Sequence, residues 1–345
     1  MLIDGKIKGD SIASITASAC QHESNGYDGA WSSESAHDPF LPLVLAAEHT
    51  TGLTLGTSIA VAFARSPMTT AYSAWDLNAL AEGRFILGLG SQVQAHVERR
   101  FSMPWSRPAA RMREFVLAMR AVWTSWQTGG ELNFTGDFYR HTLMTPFFSP
   151  PRNTFGAPKV FVAAVGGSMT EVAGEVCDGL FPHPFTTARY MREVTLPAVE
   201  RGISRSGRRR ADFQIAHNPL VATARTEEEM AQAVRAVREQ VAFYASTPAY
   251  RGVLDLHGWS ALGIELHELS RSDQADKWTR MGDAVTDEVL HEFAIVAEPA
   301  DVANALAARW EGLVDRISFY TPYPRDEELF VEILGALKLQ VAGAG

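Results

Sequence analysis

Arg84-Phe85-Ile86-Leu87-Gly88-Leu89-Gly90-Ser91-Gln92 reads as an apolar strand running straight into a glycine-spaced loop, where backbone amides can approach something flat or anionic. It is not a dinucleotide fingerprint, because Val93 stands where G-x-G-x-x-G needs its third glycine. Two other stretches share the form, Leu53-Thr54-Leu55-Gly56-Thr57-Ser58-Ile59-Ala60 and Val160-Phe161-Val162-Ala163-Ala164-Val165-Gly166-Gly167-Ser168. Three strands that end in small residues point to one shared ligand face.

Outward from these stretches, short apolar runs alternate with longer helical patterns, the sequence form of βα units around a parallel sheet. Strands are expected at 11–17, 53–63, 85–89, 160–164, 179–182, 213–221 and 316–320, with a poorly marked one near Trp31. Helices are expected at 38–49, where Asp38 caps and Pro39 takes the first position, from Pro67 to a stop at Gly83, and at 109–126, 169–177, 187–203, 227–244, 299–310 and 327–337. Two segments break the rhythm and read as insertions: 129–158, a hairpin lying over one end of the barrel, and 246–285, irregular and aromatic-bearing. The class is α/β, a (β/α)8 TIM barrel with insertions, and residues 1–345 form a single domain.

Hydrophobic residues at 46% and charged ones at 21% supply an ordinary buried core. The net charge of -9 disfavours nucleic acid, whose phosphates need Lys and Arg, so the expected partner is a small-molecule substrate. Cys20 and Cys177 lie far apart, which supports neither a disulfide framework nor a metal site and fits a reducing cytoplasm. Asp4 interrupts any apolar leader core, and no stretch approaches the roughly 20 apolar residues of a membrane span.

Parallel barrels place their chemistry at the C-terminal ends of the strands. That rule selects Glu34, Ser58, Gly88 to Gln92 and Ala164 to Ser168. Gly166-Gly167-Ser168 precedes a helix, whose free amides and dipole suit an anion; the other reading is a simple turn, and the same alternative stands for Gly88-Leu89-Gly90. Glu34 and His37 are the candidates for proton transfer, against the plainer reading of solvated side chains, with Asp38 a helix cap. His96, Glu98, Arg99 and Arg100 either touch a cofactor's polar tail or form a charged surface helix. Gly56-Thr57-Ser58-Ile59-Ala60 comes near a hydrolase nucleophile elbow, but apolar residues continue through Val61 and Phe63 where a sharp turn is needed. His22-Glu23, His267-Glu268 and His291-Glu292 each lack the second histidine of a zinc-protease helix. Arg201, Arg205 and Arg208 to Arg210 read as a solvated face rather than a phosphate site.

The order and spacing of His37-Asp38-Pro39-Phe40, Leu55-Gly56-Thr57-Ser58-Ile59, Gly83-Arg84-Phe85-Ile86-Leu87-Gly88-Leu89-Gly90-Ser91 and Ala163-Ala164-Val165-Gly166-Gly167-Ser168 resemble the luciferase-like flavin and deazaflavin oxidoreductases, particularly the branch that uses coenzyme F420. The resemblance implies that the barrel mouth holds the cofactor's tricyclic ring, with the tail crossing the loops after the fourth and fifth strands. The implied cofactor-binding residues are Ser58, Ile59, Gly88, Gly90, Ser91, Gln92, His96, Ala164, Gly166, Gly167 and Ser168, with a non-prolyl cis peptide at Ser58-Ile59. Members of this branch often carry Asp-His at the end of the second strand; Ser33-Glu34 occupies that place here, so the histidine role does not transfer. The substrate-phosphate lysines of the sugar-phosphate dehydrogenases have no counterpart. The implied activity is hydride transfer between F420 and a small organic substrate. The alternatives are an FMN-dependent monooxygenase and a non-catalytic flavin- or deazaflavin-binding barrel. The family expectation for assembly is a homodimer.

Overall fold

Ser11 opens a helix where a strand is expected from the sequence. Its hydroxyl accepts from the Ser14 amide at 3.2 Å while Ser14 Oγ accepts from the Ser11 amide at 3.1 Å, a reciprocal cap that satisfies two free donors. The expected strand at 11–17 is therefore helix α1, Ile12–Ser24, and the first strand lies upstream at Leu2–Lys6 (β1). Capping outweighed β propensity, which is the weaker signal.

The protein is seen here as a computed structural model that describes residues 1–343. Along the chain run β2 (Gly29–Ser32), α2 (Leu41–His49), β3 (Thr54–Thr57), α3 (Pro67–Leu80), β4 (Phe85–Gly90), α4 (Pro108–Thr128), β5 (Lys159–Ala164), α5 (Gly167–Val176), β6 (Gly179–Pro182), α6 (Leu196–Ser206), β7 (Gln214–His217), α7 (Glu227–Ala245), α8 (Pro299–Trp310), β8 (Arg316–Ser318) and α9 (Glu327–Gly343). This alternation is the chain order of a (β/α)8 barrel. Two compact units divide it: a larger one of Asp4–Phe181 and Ala198–Gln214, and a smaller one of Met1–Ile3, Pro182–Pro197 and Ile215–Gly345. Among the described residues no helix is long and apolar enough to cross a membrane.

In the larger unit β1, β2, β3, β4 and β5 pair in parallel, each with the next, and β6 adjoins β5. Every residue of β2 and β4 is buried, as parallel strands covered on both faces require. Phe181 of β6 meets Trp31 of β2 edge-on at 5.3 Å and Phe161 of β5 at 5.4 Å, so rings from strands that are not all neighbours fill the interior of the unit. The expected strand at 53–63 is interrupted after Thr57 and resumes at Ala60–Val61. Helix α2 starts at Leu41 rather than at Asp38, whose Oδ1 accepts from the amides of Phe40 (2.8 Å) and Leu41 (3.3 Å); the proline in its first turn is Pro42, not Pro39.

Segment 129–158 does contain a hairpin, Phe134–Thr135 with Arg140–His141, which packs on α4, and the rest of the segment is held by α3. Glu114 of α4 accepts from the amides of Asp137, Phe138 and Tyr139 at 2.6–2.8 Å, and from α3 Tyr72 donates to the Phe148 carbonyl and Asn78 to that of Gly156. Those backbone groups have no sheet to join, so helix side chains satisfy them.

In the smaller unit β7 pairs in parallel with β8, and Leu220–Ala222 pairs with Ala294–Val296. Pro219 separates β7 from Leu220–Ala222, which splits the strand expected at 213–221. The helix expected at 187–203 is a short turn, Ala188–Tyr190, a π-helical turn, Met191–Thr195, and then α6. Segment 246–285, read as irregular, carries three helices, Arg251–Leu256, Ser260–Ser270 and Lys277–Ala284. Their buried Leu254, Leu266 and Met281 join Val237 and Val241 of α7 in an apolar cluster, where Phe185 stacks on Phe293 at 4.2 Å. Glycines and aromatics masked a helical pattern that this packing stabilises.

Candidate active site

After Thr57 the chain leaves the sheet for two residues before Ala60 and Val61 pair with Leu89 and Gly90 of β4. The Ser58–Ile59 peptide bond within this bulge is cis. The Ser58 amide donates to the Ser32 carbonyl at 2.7 Å, and the Ile59 carbonyl accepts from the Glu34 amide at 3.1 Å. The excursion is thus tied at both residues to the end of β2.

The Glu34 side chain, 7% exposed, completes the tie. Its Oε2 accepts from the Val61 amide at 2.7 Å and from Arg65 Nη1 at 2.6 Å, while Arg65 Nη2 reaches Asp38 Oδ2 at 3.2 Å. The carboxylate therefore anchors the bulge to the β2–α2 connection. His37 is exposed on the same connection. Sequence reasoning passed over Arg65, although it is the only Asp, Glu, Lys or Arg between Glu48 and Asp76, a signal that it must find a partner.

Strand β4 runs on to Gly90, so Gly88 and Gly90 are buried strand residues, and the glycine loop expected from Gly88 begins only at Ser91. A Cβ on Gly88 would lie 1.9 Å from the Thr57 carbonyl oxygen and 2.7 Å from Phe181; one on Gly90 would lie 2.7 Å from Ile59 Cδ1. Thr57 Oγ1 donates to the Gly88 carbonyl at 2.6 Å and accepts from its amide at 2.9 Å. Ser91 and Gln92 are half-buried, and Gln92 turns the chain at φ 60°, its Oε1 accepting from the Val93 amide at 3.1 Å. His96 is exposed on the short helix Gln94–Arg99.

Ala164 ends β5, and Gly166 is the N-cap of the ten-residue α5 with no side-chain cap. A Cβ on Gly166 or Gly167 would meet nothing within 4 Å. A helix start without a capping side chain keeps free amide donors, and open space here leaves room for a group to reach them. Ser168 beside it is exposed.

The luciferase-like monooxygenase family matches residues 3–316. The chain belongs to that family. Over 315 residues, 91% of this chain and 92% of the relative, it is 51% identical to an uncharacterized protein of Mycobacterium tuberculosis. It is 24% identical over 318 residues to the 5,10-methylenetetrahydromethanopterin reductase of Archaeoglobus fulgidus, covering 91% of each. The solved coenzyme F420-dependent tetrahydromethanopterin reductase from Methanopyrus kandleri matches 97% of each chain with a TM-score of 0.77 at 19% identity. That likeness establishes the fold as a (β/α)8 TIM barrel of the luciferase-like kind. Luciferase-like family members are oxidoreductases or monooxygenases.

In this luciferase-like chain Glu34, Ser58, Ile59, Gly88 and Gly90 come together around the bulge, Gly166 to Ser168 stand at the end of the neighbouring strand, and His37 and His96 sit on exposed connections. The basic run is engaged in ion pairs: Arg201 and Arg205 with Glu171, Arg208 with Asp178 and Arg209 with Asp212, at 2.7–2.9 Å. Glu23, singled out beside His22, accepts from the amides of Thr51, Gly52 and Leu53 and holds the approach to β3.

Proposed function

We propose that the protein is a coenzyme F420-dependent oxidoreductase acting on a small organic substrate. The observation that carries this reading is the Ser58–Ile59 bulge, packed on side-chain-free Gly90 in the strand next to the one that leads into the uncapped α5 helix. The pair suits a flat ring joined to an anionic tail, and the similarity to two methanopterin reductases, one of them F420-dependent by name, supports the same cofactor.

When bound, F420 would supply a hydride donor or acceptor at carbon 5 of its ring. The chain's own part is positional. Ile59 and the bulge backbone would back the ring, with Glu34 and Arg65 keeping the bulge in place. Gly88 and Gly90 bring β4 close, Ser91, Gln92 and His96 would follow the tail, and Ala164, Gly166, Gly167 and Ser168 would offer backbone donors to its anionic groups. Exposed His37, rather than the anchored Glu34, is the group available for proton exchange with substrate. We place the chain in the cytoplasm as a homodimer, with a small molecule as its substrate.

Titration of the purified protein with F420 and with FMN, followed through ring fluorescence, tests the cofactor. Saturable F420 binding is the expected outcome, and tight FMN binding with no response to F420 would overturn the proposal.

A further inference from the structure

We propose that His183, Tyr244 and Tyr320 form a subsite that binds an uncharged oxygen group, a carbonyl or hydroxyl, carried on a flat apolar body. This rests on the F420-dependent reading only in taking the ligand for that reaction's substrate.

His183 follows β6 and Tyr320 follows β8, and barrels of this class place their ligands at the C-terminal ends of the strands. Nδ1 of His183 accepts from the Phe185 amide at 3.1 Å, so the neutral ring carries its proton on Nε2. Among the described residues no protein group takes that N–H. The hydroxyls of Tyr244 and Tyr320 lie 2.9 Å apart; one donates to the other, and the acceptor's own hydrogen is left to donate elsewhere. Two neutral donors are thereby held in one cluster, a match for the two lone pairs of a single carbonyl or hydroxyl oxygen.

The walls are rings. His183 meets Tyr244 edge-on with centroids 4.7 Å apart and lies at 35° to Tyr250 at 4.4 Å. All four rings are half-buried, so the cluster is neither sealed core nor open surface. Burial by itself pushes the His183 imidazole down and the Tyr250 phenol up, with no charged neighbour contributing. Burial also comes first in raising the Tyr244 phenol, followed by Tyr320 and Tyr250. A carboxylate or phosphate here would lose its hydration without gaining a counter-ion, whereas a neutral oxygen gains two hydrogen bonds.

Calorimetric titration of the full chain with acetophenone, benzoate and ethylbenzene tests this, alongside the imidazole nitrogen signals of His183. Acetophenone is expected to bind about thirtyfold more tightly than ethylbenzene, to bind more tightly than benzoate and to shift the Nε2 signal, since it gains two neutral hydrogen bonds worth about 1 kcal/mol each. His183→Phe and Tyr320→Phe should each weaken acetophenone about fivefold while leaving F420 affinity as in the unaltered chain. Lack of saturable acetophenone binding, benzoate binding as tightly, or unchanged acetophenone affinity in both variants overturns the subsite. If the unaltered chain ignores F420 yet keeps acetophenone binding that depends on His183, the cofactor reading falls and the subsite stands.

Discussion

The Cβ that Gly90 lacks would lie 2.7 Å from Cδ1 of Ile59, so the second residue of the bulge occupies space that any other residue type in β4 would claim. The glycine spacing that marked this region as a ligand loop is a packing requirement between adjacent strands.

Gly90→Ala should push the Ile59 side chain off its place and cost about 1–3 kcal/mol, with F420 affinity falling in step. Gly88→Ala should be worse, above about 4 kcal/mol, because its Cβ meets the Thr57 carbonyl at 1.9 Å, and backbone cannot swing aside as a side chain can. Urea melts of both variants check the ranking; equal losses would contradict it.

Removing Glu34 leaves the Val61 amide without its acceptor and takes from Arg65 the nearer of its two carboxylate partners, Asp38 being the other. Glu34→Ala and Arg65→Ala should each cost about 2 kcal/mol, and the double variant should cost clearly less than their sum. Strict additivity in a double-mutant cycle would show that the pair does not anchor the bulge. Glu34→Gln, which keeps an acceptor for Val61, should retain more stability than Glu34→Ala.

Gly167→Glu places a carboxylate in open space at the start of α5, where the helix dipole favours it. The variant should fold at least as well as the parent yet lose F420 binding, since its charge occupies the place proposed for the cofactor's anionic groups. Gly167→Ala should change stability by no more than about 1 kcal/mol. Undiminished F420 affinity in Gly167→Glu would remove the anion site from the proposal.

Burial, reinforced by nearby His183, holds the His217 imidazole down at about 3, and burial holds His183 at about 4. Unfolded histidine titrates near about 6.5. Between that point and the folded values the unfolded chain binds protons that the folded chain refuses, so stability falls as pH drops, by up to about 1.4 kcal/mol per pH unit for each histidine. Denaturant midpoints between neutral pH and about pH 4.5 should show this fall, and His183→Phe should make it shallower. The same slope in that variant would place the lost stability elsewhere.

Much of the fold was legible. Strands at 85–89, 160–164 and 179–182 and helices at 109–126, 227–244 and 299–310 appear within a few residues of their expected bounds. Errors fell where a local signal had a rival: a serine cap against a β-branched run at Ser11, a proline inside 213–221, and glycine-rich helices in 246–285. The cis bond at Ser58–Ile59 was reached through resemblance to a family rather than through the physics of those two residues.

The amino-acid order by itself determined the βα alternation, the small residues at the strand ends and a helix after Gly166-Gly167-Ser168, because hydrophobic periodicity acts between near neighbours. Only tertiary structure decided what those residues do. Glu34 meets Arg65, and Thr57 meets Gly88, across 31 positions of chain in each case. Such pairs exist only after β2, β3 and β4 lie side by side, and that contact ties the Glu34 carboxylate to the bulge and packs Gly88 against β3.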